Sequence, residues 1–172
     1  AIVGGLYLAV SDGEKDGASV EDLSSAEIRE YEGVDLSSIA DFRENSIEGP
    51  QYIDLDNYRL KVTGLVANPG EYTLDEVTAG FQSYRKVVKL HCVEGWSVTI
   101  LWEGLLVKDL IEHAKALPEA NTVIFHAYDG YTTSLPLDYI ADQDILMAYK
   151  MNDVVLPPRR GAPFQLVAES KL

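Results

Sequence analysis

At 172 residues, 47% hydrophobic and 24% charged, the chain has the composition of a folded domain that buries its own core, not of a disordered or fibrous protein. Acidic side chains outnumber basic ones 28 to 14, a net charge of −14 that repels nucleic-acid phosphates and anionic lipid and gives small anions no steering, so no nucleic-acid partner is expected. One cysteine, Cys92, excludes an intramolecular disulfide, a zinc ribbon and an iron–sulfur cluster built on the chain's own cysteines.

Residues 1–10 (AIVGGLYLAV) are apolar but too few to span a bilayer, and an acidic Ser- and Gly-containing stretch follows. Residues 1–41 read as an N-terminal arm or linker, its apolar run the remnant of an export or anchor segment or else a first strand. The export reading implies an extracytoplasmic protein, periplasmic or at the cell surface, attached to the membrane through that segment. A short helix fits residues 21–31. From residue 42 to 172 short apolar runs alternate with turn residues, and this is the domain proper.

Alternation of Tyr58, Leu60, Val62 and Gly64 with Arg59, Lys61 and Thr63 predicts a strand that ends at the turn Asn68-Pro69-Gly70. Thr73 and Glu76 have capping-box spacing for a short helix. Strands are predicted over 86–92 and 97–102, and a helix over 107–116, with Leu106, Leu110, Ile111 and Ala114 on one face and Pro118 beyond its stop. Residues 122–128 and 131–135 read as a hairpin with a two-residue Asp129-Gly130 loop, and 145–151 and 154–156 as another through Asn152-Asp153. A last strand fits 164–168. Locally paired strands outnumber helices, so the expected fold is α+β with a mixed, mostly antiparallel sheet and short helices.

Three features could carry chemistry. Cys92 lies in Leu90-His91-Cys92-Val93-Glu94-Gly95-Trp96-Ser97, where a strand runs out into a turn. It reads as a buried small hydrophobe or as a nucleophile with His126 as base and Asp129 or Glu94 as orienting group. Neither His113 nor His126 has metal-ligand spacing with Cys92, and His91 points to the opposite face of its strand. Second, Arg85, Lys86 and Lys89 precede the cysteine, and Arg159-Arg160-Gly161 follows Pro157-Pro158. These are solvated charges, or else guanidinium forks and glycine amides suited to a phosphate or oxyanion. Third, Tyr131 after the Asp-Gly turn either packs on a sheet face or offers its phenol to a bound oxyanion.

Taken in order, YRLKVTGLVANPGEYTLDEV, LHCVEGWS, WEGLLVKDLI, DGYTTSLPL and ILMAYKMNDVVLPPRRGAP resemble segments of the sulfite-oxidase-like molybdopterin oxidoreductases, from about residue 42 to 167. The likeness is to a small, single-domain member. It implies the family's α+β molybdopterin-binding domain and a molybdenum–molybdopterin cofactor with Cys92 as a thiolate ligand, a soft donor suited to a metal that changes oxidation state. It implies oxygen-atom transfer to or from a small oxo substrate such as sulfite or a sulfoxide. Electrons would pass to a separate carrier, a cytochrome or membrane haem protein, and the enzyme would be a monomer. By the same resemblance Tyr131 orients substrate oxygen beside the metal. Arg160 and His126 or Ala127 contact the pterin, and Asn45 belongs to an early cofactor-pocket segment.

Two departures stand out. Gln165 replaces an arginine common in relatives, keeping donors at a cofactor- or anion-binding position but losing the charge. The family pattern also continues past Glu169-Ser170-Lys171 into a Gly-x-Lys-x-x-Lys-Trp segment, so a shortened C-terminal end is expected. The alternatives are a non-catalytic binding module on the same scaffold and the Cys92/His126 hydrolase.

Overall fold

The computed structural model describes residues 19–41, 46–91 and 95–168. The apolar run 1–10, Asn45, Cys92, Glu94 and the C-terminal 169–172 lie outside the described residues. Helix α1 (Val20–Ser24) is capped by Ser19, whose Oγ accepts from the Asp22 amide at 3.1 Å. It is shorter than the predicted helix over 21–31, because the chain turns into a hairpin. Strands β1 (Glu30–Tyr31) and β2 (Val34–Asp35) are joined through Glu32 and Gly33, both at positive φ as a primed turn demands.

Strands β3 (Leu60–Val62) and β4 (Gly70–Tyr72) pair antiparallel and lead into α2 (Leu74–Gly80). Both arms of the expected capping box are made: the Glu76 amide donates to Thr73 Oγ1 at 3.1 Å and the Thr73 amide to Glu76 Oε2 at 2.8 Å. Then come β5 (Tyr84–His91), β6 (Ser97–Leu106) and α3 (Val107–Ala114). Helix α3 stops two residues before the predicted 116 because Lys115 turns left-handed at φ 55°. Strands β7 (Thr122–His126) and β8 (Thr132–Pro136) form a hairpin, followed by the unpredicted α4 (Leu137–Asp142). Strands β9 (Leu146–Met151) and β10 (Val154–Val155), a 3-10 turn (Pro158–Arg160) and β11 (Gln165–Val167) complete the chain.

The main sheet has the order β10-β9-β6-β5, with β11 also on β9, and every pairing among the described strands is antiparallel. Strand β6 runs on past Trp102, the end of the strand predicted over 97–102. A register shift between those two residues lets Gly104 lie directly against the backbone of Met147 and Ala148, so the strand continues to Leu106. Alternation along β6 feeds two cores. Val98, Ile100, Trp102 and Leu106 join Leu146, Ala148 and Met151 in one, while Leu105 and Met147 join Leu110, Val123, Leu135 and Ile140 in the other.

The described part of the expected arm, residues 19–41, is packed into the first of these cores. Val20 and Ile39 are buried in it, and Leu36 is buried as well. Acidic and serine side chains give the stretch the texture of a linker. Several of them, however, are spent on hydrogen bonds within the body. The Glu27 carboxylate, 1% exposed, accepts from the Ser38 hydroxyl, the Ile39 amide (2.9 Å) and Asn152 Nδ2 (2.8 Å).

Candidate active site

Tyr131, His126 and Ala127 are carried by the β7–β8 hairpin. His126 pairs with Thr132, the Ala127 amide donates to the Tyr131 carbonyl (2.8 Å) and the Gly130 amide to the Ala127 carbonyl (3.2 Å). The loop between Ala127 and Tyr131 therefore has three residues. This corrects the two-residue Asp129-Gly130 loop: a type I′ turn needs positive φ at both positions and a type II′ turn at the first, and of the two only Gly130, the second, has it, at 86°. The extra residue lets Asp129 act as a clamp. Its Oδ1 accepts from the Tyr131 amide at 3.0 Å and its Oδ2 from the Ile47 amide at 3.1 Å, tying the segment after residue 45 to the hairpin tip. Tyr131 is 54% exposed and Ile47 is 64% exposed, so the phenol and an apolar side chain stand on the surface at one clamped loop.

Arg160 and Gln165 form a second group. Pro157 and Pro158 lead into the 3-10 turn, and Gly161 follows at φ 86°, its amide donating to the Pro158 carbonyl at 3.3 Å. A Cβ on Gly161 would come close to the movable end of the Gln165 side chain, and the φ of 86° is what favours glycine here. Gln165 Nε2 donates to the Leu166 carbonyl at 3.1 Å. Arg160 is largely buried, with Nε donating to the Ile39 carbonyl (2.8 Å) and Nη1 to the Arg159 carbonyl (3.0 Å). Phe164 and Leu166 pack on the same core as the β7–β8 hairpin, while Ala162 and Val167 pack on the other, so this segment lies across both. Phe164 also meets the Tyr58 ring at 5.9 Å between centroids, and burial raises the Tyr58 phenol pKa well above its ordinary value, which keeps it a neutral donor.

Cys92 and Asn45 lie outside the described residues. The residues flanking the cysteine stretch are described: His91 ends β5 in register with Ser97, Gly95 is left-handed at φ 89°, and Trp96 packs on a core. Among the described residues no group of three His, Cys, Asp or Glu side chains could hold a metal ion. The residue types suit the anionic, heteroatom-rich edge of a cofactor: Arg160 and Gln165 both carry side-chain N–H donors. In the other basic cluster, Arg85 has a structural role. Arg85 pairs with Asp153 and Glu103 and stacks on the Tyr31 ring at 4.6 Å. The hydrolase constellation gains nothing from Asp129, whose carboxylate holds two backbone amides. Sequence reasoning missed Glu27, Asn152 and the clamp role of Asp129. Asn152 was legible only as a turn residue, and its burial has no local sequence signal.

The model of the oxidoreductase molybdopterin-binding domain family matches residues 47–172. The chain is 38% identical over 117 residues to the uncharacterized oxidoreductase YuiH of Bacillus subtilis, which covers 67% of this chain and 59% of that one. It is 27% identical over 134 residues to the protein-methionine-sulfoxide reductase catalytic subunit MsrP of Xanthomonas campestris pv. campestris, covering 69% and 42%. The chain thus spans about half the length of these relatives. The sulfane dehydrogenase SoxCD of Paracoccus pantotrophus shares the fold, with a TM-score of 0.65 at 17% identity over 94% of this chain and 51% of that one. With a match across most of its length and the expected α+β body, the chain belongs to the oxidoreductase molybdopterin-binding domain family, the sulfite-oxidase-like fold that carries a molybdenum–pterin cofactor.

Proposed function

We propose that this chain is the cofactor-binding, catalytic part of an oxidoreductase that transfers an oxygen atom to or from a small oxo substrate, with a neutral sulfoxide as the favoured class. The observation that carries this reading is the family match over 47–172, which takes in Cys92, Tyr131, Arg160 and Gln165 together. When bound, the molybdenum–pterin group supplies two-electron redox chemistry that the side chains lack. Cys92 would contribute the one protein ligand, its thiolate. Arg160 and Gln165 would hold the anionic and heteroatom edges of the pterin, and His126 or Ala127 and Asn45 would complete the pocket. Tyr131 would donate its phenolic proton in a hydrogen bond to the substrate oxygen, held at the site by the Asp129 clamp.

Two features favour a sulfoxide over sulfite. By the family resemblance Gln165 takes the place of a charged arginine, and a net charge of −14 works against anionic substrates. The MsrP relative is itself named for a sulfoxide substrate and as a catalytic subunit, in keeping with a separate electron carrier here, a cytochrome or membrane haem protein. Monomeric state and an extracytoplasmic location belong to the same proposal. No helix among the described residues is long and apolar enough to cross a membrane.

The test is molybdenum content by elemental mass spectrometry, with the fluorescence of oxidised pterin as companion. About one molybdenum per chain, lost in Cys92→Ser with the circular dichroism unchanged, is expected for a single-thiolate site. Molybdenum retained at wild-type level in that variant would refute the ligand assignment, and its absence from the wild-type protein would leave a non-catalytic binding module.

A further inference from the structure

The family model begins at residue 47, yet both arginines of the Arg159-Arg160 step are held by residues that precede it. Arg160 Nε donates to the Ile39 carbonyl at 2.8 Å, and Arg159 Nη1 lies 3.5 Å from Glu21 Oε1. Ile39 is itself fixed from the other side. Its side chain is fully buried in the core, and its amide donates to the Glu27 carboxylate at 2.9 Å. Glu27 is buried beside Ser38, Asn152 Nδ2 and, at 3.9 Å, Arg29 Nη1, so donors surround both of its oxygens. A carboxylate is costly to bury unless it is so satisfied. Packing alone would be served as well by an apolar residue at position 27. What the carboxylate adds is a fixed direction for the peptide of Ile39, whose carbonyl receives Arg160.

We infer that residues 19–41 are a clamp on the cofactor site and that Glu27 is a positioning residue for Arg160, acting through the Ile39 peptide. The inference depends on the reading above that Arg160 helps to hold the molybdenum–pterin cofactor. A Glu27→Gln substitution keeps the volume but turns one acceptor into a donor facing Ser38, Ile39 or Asn152. The Ile39 peptide then loses its anchor, and the guanidinium loses its set direction relative to Gly161 and Gln165.

The experiment follows molybdenum retained per chain during dialysis of the cofactor-loaded protein, alongside the thermal midpoint. Glu27→Gln is expected to lose molybdenum about tenfold faster than wild type, and Arg160→Ala at least as fast. The double variant should be no faster than Arg160→Ala alone, since both changes remove one line of support. Thr73→Ala, which breaks the α2 cap, lowers the midpoint but leaves the loss rate at the wild-type value. Should loss rates simply follow the midpoints, with Thr73→Ala and Glu27→Gln on one line, Glu27 is structural only and the inference is overturned. Glu21→Gln, at an exposed pair, folds whether or not Glu27→Gln does and is expected to speed the loss about twofold. If Arg160→Ala loses molybdenum rapidly while Glu27→Gln and Glu21→Gln keep the wild-type rate, the clamp alone is refuted. If Arg160→Ala also keeps it, Arg160 is no cofactor residue and the clamp falls while the family reading stands. A wild-type protein that takes up no molybdenum removes the cofactor reading and the clamp with it.

Discussion

Asn152→Asp changes one atom at the centre of the described structure. Asn152 is fully buried at φ 45°, and its side chain joins three segments. Its Oδ1 accepts from the Leu101 amide at 3.0 Å, while Nδ2 donates to Glu27 Oε2 at 2.8 Å and to the Ser37 carbonyl at 2.9 Å. The substitution keeps the first bond and the tolerance for a left-handed backbone, but turns both donor contacts into acceptor against acceptor. Losing the bond to the carboxylate costs about 1.5–3 kcal/mol and the one to the carbonyl about 0.5–1.5 kcal/mol. Repulsion between two buried carboxylates adds to this and the Arg29 guanidinium offsets part of it, which leaves a total of about 3–5 kcal/mol at neutral pH. With a urea dependence of roughly 2–3 kcal/mol per molar, the unfolding midpoint should fall by about 1.5 M. The new carboxyl is held above the ordinary carboxylate range in the folded state only. Its penalty is therefore least below its unfolded value of about 4 and grows as pH rises through the folded value. Urea unfolding followed by circular dichroism should show the gap to wild type narrowing between pH 7 and pH 4.5. A gap under about 0.4 M at pH 7, or one that widens on acidification, would refute the network as described.

Three further expectations follow from the geometry. Gly104→Ala would set a Cβ against the Met147 carbonyl and 2.5 Å from the Ala148 Cα, backbone that cannot yield without parting β6 from β9. A loss of about 2–3 kcal/mol, roughly 5–10 °C by calorimetry, is expected. Lys108 lies 2.6 Å from Asp144, and their hydrogen bond lowers the Asp144 pKa and raises that of Lys108. The lowered acid stabilises above its ordinary 3.8 and ceases to as pH falls through the folded value, and the raised base stabilises below 10.5 and ceases to as pH rises through its own. Lys108→Met should therefore lower the melting temperature equally at pH 5 and pH 9 and have little effect near pH 2. Tyr131→Phe removes only an exposed hydroxyl, so stability should be unchanged while kcat for a sulfoxide falls about 100-fold, and an unchanged kcat would remove Tyr131 from the reaction.

Local chemistry was legible in the sequence where it is decided locally. Thr73 and Glu76 form their box, and Asn152-Asp153 makes the primed turn its residues favour, with both at positive φ. Asp129-Gly130 shows the limit of that kind of reading. A pair that favours a two-residue loop sits in a three-residue one because Asp129 is drawn into a long-range bond with Ile47. The length of β6 was hidden for a related reason. Gly104 is a strand breaker by propensity, and its value lies in the close approach of β9, some forty residues away in sequence. Residues 19–41 were hidden most fully. The apolar residues buried there, Val20, Leu36 and Ile39, form no continuous helical or strand pattern, and the burial of Val20 and Ile39 depends on partners in β6 and β9.

The site was legible by a different route. Composition and spacing left Cys92, the Arg-Arg-Gly step and Tyr131 each with a plain structural reading as strong as a chemical one, and the order of segments around them tipped the balance. Structure then separates the basic clusters, which composition cannot. Arg85 is consumed by Asp153 and Glu103, and elsewhere Lys61 pairs with Glu71, Lys108 with Asp144 and Lys150 with Glu103. Arg160 is buried in the body, its Nε donating to the Ile39 carbonyl and its Nη1 to the Arg159 carbonyl. In a chain carrying twice as many acidic as basic side chains, a buried guanidinium places a local positive potential beside Gly161. An anionic cofactor edge against Gly161 would meet that potential. A free anionic substrate would have to reach it through the negative field of the whole surface, which is why cofactor binding and a neutral substrate belong to one electrostatic argument.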